Sequence, residues 1–234
     1  MGDPRQRLFV ALDVPDIKSA EQLTERIGDA ALCYKIGLEL LFGGGIVFAQ
    51  NLRRQGKAIF LDMKLLDIPT TVEKATRNIA NLGVDYLTVH GTDRKTLDAA
   101  VRGRGDGRLK LLAVTVLTSL ETSDLFEQGI EGLSPAELVV RRARLAKAAG
   151  FNGVIASGQE AAQVRSAVGP DFLIVTPGIR LEAGPDGDQA RVVTPKDAIL
   201  GGASHIVVGR PITAAANPAA MAGQITAAIG DVAN

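Results

Sequence analysis

The stretch Ala58-Ile59-Phe60-Leu61-Asp62-Met63-Lys64-Leu65-Leu66-Asp67-Ile68-Pro69-Thr70-Thr71 changes character twice along its length. It opens as an aliphatic run that reads as a strand over 58–63. It then becomes charged, and Thr70-Thr71-Val72-Glu73 has the Ser/Thr-x-x-Glu spacing of a capping box. That spacing predicts a helix over 71–82, with Pro69 stiffening the chain just before it. The stretch is one strand-then-helix unit.

The same unit recurs on both sides. Apolar runs predict strands over 8–12, 32–36, 86–90, 109–117, 153–156, 172–176 and 205–208. Helical periodicity follows each of them, over 17–27, 38–55, 95–102, 135–149, 160–168, 195–200 and 219–229. Eight such units in 234 residues point to a single-domain α/β chain folded as a (β/α)8 TIM barrel. An open dinucleotide-binding sheet would need a glycine fingerprint after its first strand, and none follows 8–12. Gly43-Gly44-Gly45 lacks the Gly-Lys-Ser/Thr ending of a P-loop and reads as a hinge or helix irregularity. Segments 118–134 and 178–194 are too long for tight barrel loops, and long loops at the C-terminal face are where barrels close over substrate.

Composition fits this architecture and excludes several functions. Hydrophobic residues are 46% of the chain, aromatics only 4%, and tryptophan is absent, so the core is built from Val, Ile, Leu and Ala. Buried parallel strands under helices use such residues. Twenty-six basic and twenty-six acidic residues cancel, so no global field recruits nucleic acid or an anionic membrane. The single cysteine, Cys33, excludes an internal disulfide framework and fits a reducing cytosol. The first residues show no apolar signal-peptide core, and Lys35 and Glu39 interrupt the best candidate for a membrane span. A cytoplasmic protein is expected.

Residues two apart on a strand share a face, so Asp62 and Lys64 project together at the C-terminal end of strand three. Barrel enzymes place their catalytic groups at that end. Asp67 follows in the loop, while Asp13 and Lys35 end the first two strands. One charge at a strand end is ordinarily a solvated loop residue. Several of alternating sign, converging from three consecutive strands, are costly to bury unless paired, which makes function the better explanation. The interleaved lysines also argue against a metal, because their ammonium groups neutralise the carboxylates that a cation would need. His90 and His205 lie near strand ends far apart in sequence and read as packed or hydrogen-bonded residues rather than metal ligands.

Asp62-x-Lys64-x-x-Asp67-Ile68-Pro69-x-Thr71 resembles the signature of the orotidine 5′-phosphate decarboxylases. Ala11-Leu12-Asp13, Tyr34-Lys35-Ile36-Gly37, Val89-His90, Val116-Leu117-Thr118-Ser119, Pro177-Gly178-Ile179-Arg180 and Val208-Gly209-Arg210-Pro211 follow in that family's order, so the resemblance covers essentially the whole chain. Thr70 departs from it, standing where many bacterial relatives carry Asn. The resemblance implies a cofactor-free decarboxylation of orotidine 5′-monophosphate to UMP, with Lys35, Asp62, Lys64 and Asp67 as the charged catalytic set. It implies Asp13 and Lys35 at the ribose, Thr118 at the pyrimidine, and Arg180, Gln189, Gly209 and Arg210 around the phosphate and its closing loop. It also implies a homodimer in which Asp67 and Thr71 reach into the partner's site. Barrels commonly bind phosphate after strands seven and eight, and free N–H groups at the helix start after Gly209 suit an anion. The nearest rivals are hexulose-phosphate synthases and keto-gulonate-phosphate decarboxylases. They share Asp-x-Lys-x-x-Asp but use Mg2+, and they lack the Ile-Pro-x-Thr continuation. A non-catalytic nucleotide-binding barrel is the rival of another class.

Overall fold

The computed structural model describes residues 2–181 and 193–232. Eight parallel strands close into a barrel in sequence order: β1 Leu8–Ala11, β2 Cys33–Gly37, β3 Ala58–Leu65, β4 Tyr86–His90, β5 Lys110–Val114, β6 Gly153–Ile155, β7 Leu173–Thr176 and β8 His205–Val208. β8 pairs back onto β1 through Leu8↔Ile206 and Val10↔Val208, so no strand edge is left open. The main covering helices are α1 Ile17–Ile27, α2 Ile46–Arg54, α3 Pro69–Asn81, α4 Arg94–Arg104, α5 Pro135–Ala149, α6 Ala161–Val168, α7 Pro195–Leu200 and α8 Pro218–Gly230. The predicted barrel is the observed fold.

Strand alternation divides the apolar residues into two packed regions. Leu8, Val10, Tyr34, Ile36, Ile59, Leu61, Leu87 and Val89 face outward against the helices. Phe9, Ala11, Cys33, Phe60, Tyr86, Leu112, Val175 and Val207 fill the barrel interior. The same alternation sends Lys35, Asp62 and Thr88 inward, above that apolar plug. Position on the pleat thus puts charge where an apolar side chain would otherwise sit.

Three local readings need correction. The predicted continuous helix over 38–55 is broken. A short turn, Leu38–Leu40, leads into a wider π turn, Leu41–Gly45, before α2 begins. Gly44 lies at φ +97, open to glycine at little cost, and a Cβ on Gly43 would stand 2.5 Å from the Pro15 carbonyl oxygen. The irregularity read from the three glycines is real. Second, α3 has no side-chain cap: it starts at Pro69, with Ile68 at the N-cap. A proline tolerates this position because its missing N–H would be unpaired there anyway. Glu73 turns instead to Arg77 of its own helix (2.8 Å) and Arg102 of α4 (2.9 Å). Third, the strand predicted over 109–117 stops at Val114. β6 ends at Ile155, whose carbonyl takes both the Thr115 N–H (3.4 Å) and its hydroxyl (2.7 Å), leaving 116–117 with no ladder partner.

His205 begins β8 beneath the plug, stacked on Phe9 at 5.3 Å and edge-on to Tyr86 at 6.0 Å. Burial, then Lys110 and Arg7, push its pKa down to about 4. An unfolded chain protonates this ring near pH 6.5, before the folded one does. Stability from this residue is therefore complete above about pH 6.5 and lost as pH falls towards 4, with an upper limit of about 3 kcal/mol. Urea unfolding should show this loss between pH 7.5 and 4.5, and His205→Leu should flatten it. An unchanged slope in the variant would contradict the assignment.

Candidate active site

The C-terminal ends of the strands open into a cavity of about 960 Å³. Its lining includes Asp13, Lys35, Asp62, Lys64, Thr118, Arg180, Gly209 and Arg210, with Phe60, Val114, Ile155 and Val207 among its apolar lining. Charge is confined to two regions: the ends of β1 to β3, and the loops after β7 and β8.

On the first side the charges form a row of alternating sign. Asp13 Oδ1 accepts from Lys35 Nζ at 2.9 Å, Lys35 Nζ lies 3.5 Å from Asp62 Oδ2, and that same oxygen accepts from Lys64 Nζ at 2.8 Å. The side chain of Lys35 is 9% exposed and that of Asp62 13%, against 33% for Lys64, so of the two lysines that line the cavity Lys64 is the more open to it. Burial alone would drive the Asp62 carboxyl to hold its proton. Lys35, Lys64 and the hydrogen bonds from Lys64 and Thr88 outweigh it and hold its pKa below the usual carboxylate range. Gly37 is part of the device, since a Cβ there would meet Asp13 Oδ1 and Lys35 Nζ at 3.0 Å each. Burial, followed by the nearby positive charge of Lys64 and Arg142, lowers the pKa of His90 at the end of β4.

Thr88 was not anticipated from the sequence. Wholly buried on β4, it accepts from the Lys64 backbone N–H at 2.9 Å and donates to Asp62 Oδ1 at 2.8 Å. A threonine in Tyr-Leu-Thr-Val-His looks like an ordinary strand former. The signal available was its face alone: two residues after Tyr86, it points into the barrel.

On the second side, Gly178 (φ +77) turns the chain after β7. Ile179 bridges to Val193, and the Arg180 N–H donates to the Val193 carbonyl at 3.1 Å. After β8, Gly209 starts the short helical turn Arg210–Thr213, with Pro211 in its first turn as expected. Gln189 lies outside the described residues.

Asp67 and Thr71 do not line this cavity. Both are exposed, and among the described residues the Asp67 carboxylate accepts only from the next backbone N–H, that of Ile68, at 2.6 Å. Within one chain the row is therefore Asp13–Lys35–Asp62–Lys64, and Asp67 is not a member of it. The segments after β2 and β3 carry Leu38, Phe42, Val47, Leu66 and Ile68, all exposed, with Phe42 reaching 90%. Among the described residues no cluster of His, Cys, Asp and Glu could hold a metal ion, and no helix is long and apolar enough to cross a membrane.

Residues 6–225 match the family described as orotidine 5′-phosphate decarboxylase / HUMPS. A Methylorubrum populi protein named orotidine 5′-phosphate decarboxylase is 52% identical over 231 residues, covering 99% of this chain and 98% of that one. A Bradyrhizobium protein of the same name is 51% identical over 97% of this chain and 92% of its own length. The crystal structure of orotidine 5′-phosphate decarboxylase from Lactobacillus acidophilus superposes with a TM-score of 0.83 at 37% identity, covering 95% of this chain and 98% of that one.

Proposed function

The chain belongs to the orotidine 5′-phosphate decarboxylase / HUMPS family, and from that premise we propose that it converts orotidine 5′-monophosphate to UMP and CO2 in pyrimidine biosynthesis, in the cytoplasm. The observation that carries the reading is the row Asp13–Lys35–Asp62–Lys64, ending in an ammonium group at a cavity whose other charged side holds Arg180 and Arg210. The substrate is a dianionic phosphate joined through ribose to a pyrimidine carboxylate. A cavity with cations at two ends suits it.

Loss of CO2 from C6 leaves the bonding electron pair in the ring plane, out of reach of the π system. A cofactor sink is one solution to this problem, and a preorganised charge beside the carbon is another. In this reading Lys64 supplies the charge, then gives its Nζ proton to C6 and recovers one from solvent. Asp62 holds Lys64 in place and lies near the departing carboxylate. Lys35 balances Asp62 and, with Asp13, meets the ribose hydroxyls. Thr118 faces the pyrimidine, while Arg180, Gly209, Arg210 and Gln189 receive the phosphate. The active form is a homodimer in which Asp67 and Thr71 complete the partner's charged set, and the exposed Leu38, Phe42, Leu66 and Ile68 support such an interface.

No metal or organic cofactor takes part in this scheme, because the charge stabilisation comes from Lys64. The test is an absorbance assay of purified protein with orotidine 5′-monophosphate, with and without EDTA. Turnover should be the same in both and unmoved by added Mg2+. Activity abolished by exhaustive chelation and restored by Mg2+ would assign the chain to the metal-dependent branch of its family. UMP binding without turnover would make it a nucleotide-binding barrel.

A further inference from the structure

In the β3–β4 ladder Leu61 pairs with Leu87, and the next pair is Leu65 with Val89. Asp62, Met63 and Lys64 therefore stand opposite Thr88 alone. A bulge of this kind cannot keep every ladder hydrogen bond, and a buried backbone donor needs another acceptor. Here the acceptor is a side chain: the Thr88 hydroxyl takes the Lys64 N–H at 2.9 Å. While it accepts that bond, the hydroxyl donates its own proton to Asp62 Oδ1 at 2.8 Å. Asp62 Oδ2 is thereby turned towards both ammonium groups, 2.8 Å from Lys64 and 3.5 Å from Lys35.

Lys64 itself lies at φ +48, the sole non-glycine at positive φ among the described residues. Such a conformation is disfavoured for a residue with a side chain and persists only where its surroundings determine it. Packing does not explain the threonine. Thr88 is wholly buried, and valine would fill the same volume and leave two polar groups unpaired. The hydroxyl is the feature that the site uses.

We infer that Thr88 is a positioning residue for the reaction, fixing the strained Lys64 backbone and the rotation of the Asp62 carboxylate with one hydroxyl. This rests on the reading of Lys64 and Asp62 as the groups that act on the substrate. Thr88 never meets the substrate in this scheme, so its loss misplaces the charge without removing it. A displacement of about 1 Å in a reacting group can cost about 10²-fold in rate.

Thr88→Val, Thr88→Ala and Thr88→Ser separate this role from simple packing. With Thr88→Val, kcat should fall by about 10²-fold while KM and the Kd for UMP change by less than about threefold. Thr88→Ser keeps both hydrogen bonds and should restore kcat to within about threefold of the unmodified protein. Thr88→Ala, which cannot overpack, should match Thr88→Val and carries the test if valine prevents folding. Full turnover in the valine or alanine variant overturns the inference. So does serine failing to rescue, or kcat, KM and UMP affinity falling together in step with lost thermal stability. An unmodified protein that does not decarboxylate orotidine 5′-monophosphate would instead refute the reading beneath it.

Discussion

Lys64→Ala should lower kcat/KM for orotidine 5′-monophosphate by more than about 10³-fold, with UMP binding affected far less. Removing one neutral hydrogen-bond donor from a preorganised site costs about 10²–10³ in rate, and Lys64 carries a full charge and the proton that C6 requires. The variant also leaves Asp62 with a single cation, Lys35 at 3.5 Å, beside a carboxylate that is 13% exposed. An under-paired buried charge is destabilising by several kcal/mol, so lost activity must be distinguished from lost fold.

The backbone supplies the control. At φ +48 alanine is strained and glycine is not, so Lys64→Gly should be the more stable variant and equally inactive. Lys64→Arg separates charge from proton donation. Guanidinium keeps the charge but yields a proton poorly at neutral pH and spreads over a planar fork, so it should also be inactive. Stopped-flow or absorbance assays on protein verified by UMP binding would measure these effects. Retention of more than about a tenth of the normal rate in the glycine variant would remove Lys64 from the mechanism.

The inner part of the charged row was legible because strand periodicity is rigid. Lys35 and Asp62 had to point inward once their strands were placed, and the ends of consecutive parallel strands must be neighbours. The bulge was not legible. Nothing in Asp62-Met63-Lys64 announces two extra residues opposite one threonine, since register depends on the partner strand. Thr88 was missed for the same reason. The capping box at Thr70 failed because the helix starts one residue earlier, at Pro69, which puts Thr70 inside the first turn, and Glu73 pairs instead with Arg77 and with Arg102 on the neighbouring helix. Local pattern predicts local structure until a long-range partner offers more.

The position of Asp67 gives the second large effect. It forms no ion pair among the described residues, and its carboxylate is turned onto the Ile68 N–H beside exposed Leu66 and Ile68. If it serves the partner's site, each active site combines Lys64 of one chain with Asp67 of the other. Lys64→Ala and Asp67→Ala should then each form a nearly inactive homodimer. One lacks the proton donor and the other leaves the charge network unbalanced.

Unfolding the two variants, mixing them equally and refolding should give mixed dimers as about half of the population. Each mixed dimer would hold one doubly damaged site and one with both residues intact. Recovered activity should therefore be about a quarter of normal, by the reciprocity of a two-fold interface. Were Asp67 to act within its own chain, every site in every dimer would keep one lesion, and mixing would recover nothing. Native mass spectrometry distinguishes that outcome from a failure to exchange. Mixed dimers present in full proportion but inactive would refute the shared site, leaving Asp67 as a loop residue whose exposed carboxylate accepts the adjacent Ile68 N–H.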